Sequence, residues 1–268
     1  MSSIRDMYQI ILLLVLTAAS LSAQSDMENQ GFYCDPETGL CTIPEVQPSD
    51  VKAVETSEEL EVIYVGDPMC SWCWVISPAL HQLELRAAQD GIPFRIVVGG
   101  LRPGGGDPWN TQFQDFLKHH WEEVNQRSGQ PFGYALFDRE SFNYDTEPSC
   151  RAVVAARQMD STKEHQFFEL VQHYFYVRSE DPNQAAFYEP ICEQLGLDYA
   201  TFLELFQSKE IRDLTQAEFN LNRQWGVRGY PTVLLRKDNQ LHLLARGYSS
   251  YEQMWSLVNN VLTAESNP

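Results

Sequence analysis

Two cysteines separated by two residues are the part of this sequence best suited to carry chemistry. Cys70 and Cys73 lie within DPMCSWCW, residues 67–74. Such a pair could hold a metal, close a small loop or exchange electrons with another thiol pair. Zinc needs four ligands, and neither a second C-x-x-C nor an H-x-x-x-H accompanies this pair. We therefore expect no metal site, since Cys34 and Cys41 could add ligands only if the N-terminal segment folded onto the motif.

The flanking residues place the pair at the point where a strand turns into a helix. Residues 61–66 are rich in strand-forming side chains and end at Gly-Asp-Pro, which is turn chemistry. After the pair, apolar residues recur at helical spacing until Gly91 closes the pattern. The apolar positions are Ile76, Leu80, Leu83 and Ala87.

This placement predicts a different role for each sulfur. A cysteine at a helix N-terminus faces unpaired N–H groups and the positive end of the helix dipole, which favour thiolate over thiol. Because only the thiolate attacks a disulfide, Cys70 is the predicted nucleophile. Cys73, one turn inside the helix, is placed to resolve the mixed disulfide. Ser71 and Trp72 lie between the sulfurs and are expected to tune the redox potential or contact substrate.

A second motif, Gly229-Tyr230-Pro231-Thr232, comes directly before a predicted strand. Proline cannot donate a hydrogen bond to a sheet, so it belongs at a strand start or a bend. With a cis bond at Pro231, the backbone of Tyr230 would form a short edge for an extended substrate. An ordinary trans turn proline is the alternative.

The rest of the chain gives the order strand, helix, strand, helical block, hairpin, helix. Residues 94–98 predict the second strand, and residues 107–225 carry successive helical stripes. Residues 232–236 and 241–245 predict a hairpin, and a capping box at Ser249 and Glu252 opens the last helix. The chain thus consists of a βαβ half and a ββα half on either side of a helical insertion.

The first 23 residues have the features of a cleavable secretory signal. They contain Arg5, an apolar run at residues 10–16 and small residues up to Ala23. The run is too short to span a bilayer comfortably, so cleavage after Ala23 is favoured over a retained anchor, leaving no membrane span. The protein is then periplasmic or secreted. Residues 24–59 are polar and proline-containing, and we expect an extended segment there.

The net charge of −18 and the sequence pI near 4.6 argue against two classes of partner. Nucleic acids and anionic membrane surfaces both need a basic face. The acidity is most simply explained by solubility.

Export would permit disulfides among the six cysteines. Between Cys34 and Cys41, the sequence Asp-Pro-Glu-Thr-Gly is turn chemistry that can bring the two sulfurs together. The expected disulfide is either a structural staple or a second redox pair. Cys150 and Cys192 lie in the helical block, where they either pair or remain buried thiols.

Two other features could serve the redox pair. His119 and His120 either face it from the helical block or divide between solvent and core. Arg102, in a glycine-rich loop, either supports the thiolate and steers substrate or is solvated.

The C-x-x-C and the distant Gly-Tyr-Pro-Thr, on either side of a helical block, resemble the DsbA family of thioredoxin-fold oxidoreductases. The closer likeness is to its FrnE-like branch of predicted protein-disulfide isomerases, and it extends from about residue 60 to the end. The stretches that carry it are residues 67–74, 99–104, 119–122, 144–152 and 225–232.

The resemblance implies an α/β fold: a thioredoxin domain of residues 60–106 and 226–268, with a helical insertion at 107–225. It also implies that Cys70 and Cys73 are the redox pair and that Pro231 is the cis-proline, with no cofactor. One departure from the pattern is Tyr64, at the position where many thioredoxin-fold enzymes carry a buried carboxylate. Another is Val75, where the family usually has glycine.

The function expected from these features is that of an exported thiol-disulfide oxidoreductase. It would act on protein thiols or disulfides and need a redox partner to reset it. Oxidase, isomerase and reductase differ in potential and partner and not in this motif. Two other classes remain: a glutathione-dependent transferase or isomerase on the same fold, and a client-binding module without catalysis that uses the Tyr230-Pro231 edge and the tryptophans.

Overall fold

The structure is a computed structural model that describes residues 60–264 and, as backbone, two short strands at 33–34 and 41–43. The described strands form one sheet in the order β1-β2-β6-β5-β3-β4. Their bounds are β1 Tyr33–Cys34, β2 Cys41–Ile43, β3 Leu60–Gly66, β4 Phe94–Val98, β5 Thr232–Lys237 and β6 Gln240–Arg246.

Strand β3 is buried on both faces and organises the sheet. It runs parallel to β4 and antiparallel to β5, and β5 and β6 form the predicted hairpin. Because strand side chains alternate between faces, Val62 and Tyr64 pack into the main core, whereas Ile63 and Val65 pack into a second cluster on the opposite face. The strand that leads into Cys70 is therefore fixed from both sides.

Residues 60–264 contain eight α-helices that follow the predicted pattern, with short 3₁₀ turns between some of them. Their bounds are α1 Ser71–Gln89, α2 Thr111–Ser128, α3 Glu147–Met159, α4 Glu164–Tyr176, α5 Glu189–Leu195, α6 Tyr199–Gln207, α7 Lys209–Gln224 and α8 Tyr251–Thr263. The helical block from α2 to α7 lies between β4 and β5 in the chain. Pro148 occupies the first turn of α3, where its missing N–H costs nothing.

The helical block is built around aromatic side chains. Trp121 is buried and packs edge-on against Phe175 and Tyr176, with ring centroids 5.7 and 5.1 Å away. The aromatic residues of α4 are likewise buried, which is what their helical spacing predicts. Aromatic pairs in this geometry add stability beyond the area they bury.

Two local features differ from the sequence-based expectation. Within the segment 24–59, the short strands β1 and β2, which the sequence did not predict, pair with each other, and β2 pairs with β6 at the edge of the sheet. The capping box of the last helix is one residue later than expected: Ser250 accepts from the Gln253 N–H, and the Gln253 side chain accepts from the Ser250 N–H. Gln is as suitable as Glu at the last position of a capping box. The sequence therefore offers two overlapping boxes, Ser249 with Glu252 and Ser250 with Gln253, and the structure forms the second.

Within residues 60–264, no helix has the length and apolar composition needed to cross a membrane. In the same range, Cys70, Cys73, Cys150 and Cys192 are all free and buried. Cys150 and Cys192 are thus separate thiols. The proposed signal, residues 1–23, lies outside the described residues.

Candidate active site

Cys70 is the N-cap residue of α1, the position that the sequence predicts. Its backbone is extended (φ −90°, ψ 118°), and its carbonyl accepts the first helical hydrogen bonds from Cys73 and Trp74 at 2.9 and 3.1 Å. The first turn contains no acidic side chain. No carboxylate of the first turn therefore competes with the Cys70 side chain for the positive end of the helix.

Cys73 lies beneath Cys70 and is the less accessible sulfur. Its side chain is fully buried, whereas 5% of Cys70 is exposed. Its Sγ accepts a hydrogen bond from the Asp67 N–H at 3.5 Å. Burial, followed by the interaction with Cys70, raises the pKa of Cys73 well above its usual value. The expected order of exposure is confirmed.

The Gly-Tyr-Pro-Thr motif contacts the cysteine pair. The Cys70 thiol donates a hydrogen bond to the Tyr230 carbonyl oxygen at 3.5 Å, and the Tyr230–Pro231 peptide bond is cis. The Tyr230 hydroxyl donates to the Gly99 carbonyl at 2.6 Å. A Cβ at Gly99 would lie 2.6 Å from the Tyr230 ring, so only glycine allows this packing.

Tyr64, on β3, occupies the buried position below the resolving cysteine. It is fully buried, and no group satisfies hydrogen-bond geometry with its hydroxyl. The hydroxyl nevertheless lies close enough to Cys73 to lower the pKa of that thiol. Burial and the neighbouring Cys73 raise the pKa of Tyr64 well above its usual value, so Tyr64 is a neutral hydroxyl and not a base.

Asp67 is a buried carboxylate that the sequence analysis treated only as part of a turn. Its two oxygens accept hydrogen bonds from the N–H groups of Met69 and Leu101 at 2.8 and 2.6 Å, and Cys150 Sγ donates to it at 3.5 Å. Burial raises the pKa of Asp67 above its usual value, against the effect of these donors. A carboxylate directly after a buried strand was the signal that could have revealed it.

The loop that precedes Cys70 is thus held at three points. Asp67 ties it to the Leu101 loop, the Tyr144 hydroxyl donates to the Met69 carbonyl at 2.7 Å, and Cys70 N–H donates to the Asp67 carbonyl at 3.0 Å. Sequence periodicity could not have found Tyr144, because it lies in an irregular segment between helices. These contacts fix the position of Cys70.

An aromatic rim surrounds the exposed side of the motif; we define it as Trp72, Phe116 and His120. The rings of Trp72 and His120 meet edge-on at 6.1 Å, and Phe116, 60% exposed, stacks on His120 at 6.4 Å. Arg127 lies over the Trp72 ring at 5.7 Å. Of the two histidines considered, His120 therefore faces the motif, whereas His119 is exposed.

Other predicted residues lie elsewhere or outside the described region. Ser71 is buried in the first turn of α1. Arg102 forms an ion pair with Asp107 and lies over the Phe113 ring, so its charge is paired with a residue of its own loop. The backbones of Cys34 and Cys41 are directly opposite each other in the β1–β2 pair, and their side chains are outside what the structure describes.

The geometry resembles that of known proteins. Residues 61–258 match the family described as the DSBA-like thioredoxin domain. A candidate protein disulfide isomerase from Nitrosomonas europaea is 32% identical, with a TM-score of 0.71 over 78% of this chain and 100% of that one. The cytosolic disulfide reductase DsbM from Pseudomonas aeruginosa is 24% identical, with a TM-score of 0.64 over 76% of this chain and 99% of that one.

A curated relative is also similar in sequence. The ClpXP adapter protein SpxH of Shouchella clausii is 23% identical over 211 residues, which are 77% of this chain and 67% of that protein. The family match covers most of the chain and includes the cysteine pair at the helix start, the arrangement of a thiol-disulfide oxidoreductase. The chain belongs to the DSBA-like thioredoxin domain family, and its fold is the DsbA-like thioredoxin fold.

Proposed function

We propose that this protein exchanges disulfides with protein thiols through a mixed disulfide on Cys70. The observation that carries the proposal is the position of the Cys70 sulfur. It lies at the start of α1, 3.5 Å from the Tyr230 carbonyl, with the buried Cys73 one turn below. A slightly exposed Cys70 and a fully buried Cys73 suit a nucleophile and a resolving thiol, respectively.

The exchange proceeds in two steps that conserve atoms and electrons. The Cys70 thiolate attacks a substrate disulfide, forming a Cys70–substrate bond and releasing one substrate sulfur as a thiolate. The Cys73 thiolate then attacks Cys70 Sγ, forming the Cys70–Cys73 disulfide and releasing the second substrate thiolate. The substrate gains two electrons, and the pair loses two. The reverse sequence oxidises a substrate dithiol, and the redox partner that resets the pair selects the direction.

The surroundings of Cys70 favour an extended polypeptide as substrate. The backbone at Tyr230 and Pro231 lies beside the reactive sulfur, where it offers a short edge for a substrate strand. The aromatic rim adds apolar surface next to Trp72 of the motif, and its Phe116 is 60% exposed. We propose that Trp72 and Tyr230 contact substrate there and that Pro231 orients the edge.

We also propose export, with cleavage after Ala23. The charged start, short apolar run and small residues of segment 1–23 support it. The similar cytosolic reductase shows that this fold also serves a reducing compartment. Mass spectrometry of the protein purified from its own cells tests the proposal: a mature N-terminus at Gln24 is expected, and an intact N-terminus in the cytosol would contradict it.

For Cys34 and Cys41 we propose a structural disulfide. Their backbones are opposite each other, and a loop this short contributes about 2–3 kcal/mol in the chain-entropy model. Replacing both with serine should lower the melting temperature and leave turnover unchanged. A clear loss of turnover at unchanged stability would instead identify a second redox pair.

Client binding without catalysis is the second candidate function, because the curated relatives are adapter proteins. An adapter would bind its clients equally well without either active-site cysteine. Glutathione is a third consideration, because a structure of the similar reductase is described with GSH. The use of glutathione as substrate would appear as turnover of oxidised glutathione faster than that of a protein disulfide.

An insulin-reduction assay and a dithiol-oxidation assay test the proposed function. Wild type and Cys192→Ala should be active, and Cys70→Ser should be inactive in both assays. Cys192 is the matched control because it is also a buried free thiol, and it lies in α5, away from the pair. Equal activity of Cys70→Ser and wild type would overturn the proposal. Retained client binding without any turnover in wild type would support the adapter function.

A further inference from the structure

Two histidines and two glutamates meet where the redox helix packs against the helical insertion. His81 and Glu84 lie three residues apart on α1, and His165 and Glu169 lie four apart on α4, so each pair shares one helix face. His81, Glu84 and His165 each offer one ligand atom, and these atoms lie within 4.8 Å of one another. Glu169 Oε1 lies 3.9 Å from His165 Nε2.

The four side chains differ in how firmly they are held. The His165 side chain is only 7% exposed and stacks on Phe94 with centroids 5.3 Å apart, and its Nδ1 is 2.6 Å from Glu84 Oε2. His81 is exposed, and Glu84 and Glu169 are about one-third exposed. The cluster therefore combines the buried imidazole of His165, which is held in place, with the more exposed side chains of His81 and Glu84, which are free to change rotamer.

The cluster is open to solutes. His81 and Glu169 both line a groove between α1 and α4 that also contains Ser77 and His173. An ion can therefore reach the cluster from solvent. The hydrogen bond between His165 and Glu84 involves two of these side chains, and His81 adds a third ligand atom within 4.8 Å of both. Glu169 faces the other ring nitrogen of His165 and lies outside this set.

The types of atom select the class of ion. Two imidazoles with carboxylates suit zinc and similar first-row transition metals, whereas magnesium and calcium prefer oxygen ligands alone. Donors 2.0–2.2 Å from a tetrahedral zinc ion lie about 3.3 Å apart. Rotation of the accessible side chains of His81 and Glu84 would have to widen the 2.6 Å separation between His165 and Glu84 and bring the His81 nitrogen to about 3.3 Å from both.

We propose that His81, Glu84 and His165 bind one divalent transition-metal ion of the zinc class, leaving its fourth position open to solvent. The ion would join the helix that begins at Cys70 to α4 of the insertion. His81 lies three turns into α1, about 16 Å along the helix from Cys70, so this site is separate from the thiols. It is also separate from the cysteine pair for which the sequence predicts no metal.

Calorimetric titration of the oxidised protein with zinc chloride tests the proposal. Oxidation closes the Cys70–Cys73 disulfide and so removes those thiols as competing ligands. Wild type and His119→Ala should bind one equivalent, while His81→Ala and Glu84→Gln should each bind at least about tenfold more weakly. His119 is the matched control because it is exposed and lies outside the cluster. Both test variants change accessible residues, and circular dichroism checks that they fold.

Two further readouts locate the ion. Zinc should raise the melting temperature of wild type and not that of His81→Ala, because only a bound ion stabilises the native state. Cobalt should give visible d–d bands without the near-ultraviolet sulfur charge-transfer band of a thiolate complex. Absence of stoichiometric binding, equal affinity in His81→Ala, or a thiolate band would each overturn the proposal.

Discussion

The Cys70 thiol donates a hydrogen bond to the carbonyl oxygen of Tyr230, 3.5 Å away and 160 positions later in the sequence. This contact joins the two halves of the thioredoxin-like unit across the helical block. It also places the backbone of Tyr230 where an extended substrate would pass the reactive sulfur.

The two active-site thiols should differ in their reaction with an alkylating reagent. Cys70 is the more exposed sulfur, and burial raises the pKa of Cys73. In the reduced protein near neutral pH, iodoacetamide should label Cys70 first, and labelling of Cys73 should require higher pH. Peptide mapping by mass spectrometry measures the order, and faster labelling of Cys73 would reverse the assigned roles.

Gly99→Ala should displace Tyr230 from the reactive sulfur. The added Cβ would lie 2.6 Å from the Tyr230 ring, so the ring has to move and its hydrogen bond to the Gly99 carbonyl is disturbed. We expect turnover to fall roughly 10- to 100-fold, as small misplacements of a reacting group do.

Gly229→Ala is the matched control for Gly99→Ala. It lies next to Tyr230, and an added Cβ there would have no neighbour within 4 Å. Its turnover in the insulin assay should stay close to that of wild type. Equal activity of the two variants would show that the position of Tyr230 is unimportant.

Asp67→Asn should destabilise the loop before Cys70. Both carboxylate oxygens accept backbone N–H groups, and an amide nitrogen at either position would face a donor. We expect a loss of about 1–3 kcal/mol in the free energy of unfolding, measured by urea titration.

Asp198→Asn provides the comparison for Asp67→Asn. Asp198 caps α6 by accepting from the Thr201 N–H at 2.8 Å, a role in which Asn and Asp are nearly equivalent. Its stability should be almost unchanged. If Asp67→Asn were equally neutral, the two hydrogen bonds of Asp67 would not hold the loop.

Tyr64→Phe should slow the resolving step. The Tyr64 hydroxyl lowers the pKa of Cys73, so its removal raises that pKa and reduces the thiolate available to attack Cys70. The substrate mixed disulfide should then last longer in single-turnover experiments, with stability changed by no more than about 1 kcal/mol. Tyr188→Phe, in which the buried hydroxyl bonds Pro182 instead, should resolve at the wild-type rate.

The sequence predicted the helix start at Cys70 well, because strand, turn and helix signals are local there. The hairpin was predicted equally well, and its turn consists of Asp238 and Asn239, both with positive φ. The strands β1 and β2 were missed because two or three residues carry too little periodicity. Their pairing depends on the distant edge of β6.

The candidate site was predicted only where it follows a motif. The motifs indicated Cys70, Cys73 and Pro231, but the buried Asp67 and the Tyr144 hydroxyl act through contacts 34 and 75 residues away. Hydrogen bonds between residues so far apart in the chain leave no regular pattern in the sequence from which they could be predicted. The contact of His120 with Trp72 likewise depends on how α2 packs beside α1.

Trapping of the reaction intermediate tests the central claim most directly. Without the resolving thiol, Cys73→Ser should accumulate a covalent complex with a disulfide-containing protein substrate. Mass spectrometry of the digested complex should then find the substrate cysteine linked to Cys70, and a reducing agent should release it. A Cys70→Ser protein should form no such complex. Linkage through Cys150 or Cys192, or no complex from Cys73→Ser at all, would contradict the assignment of Cys70 as the nucleophile.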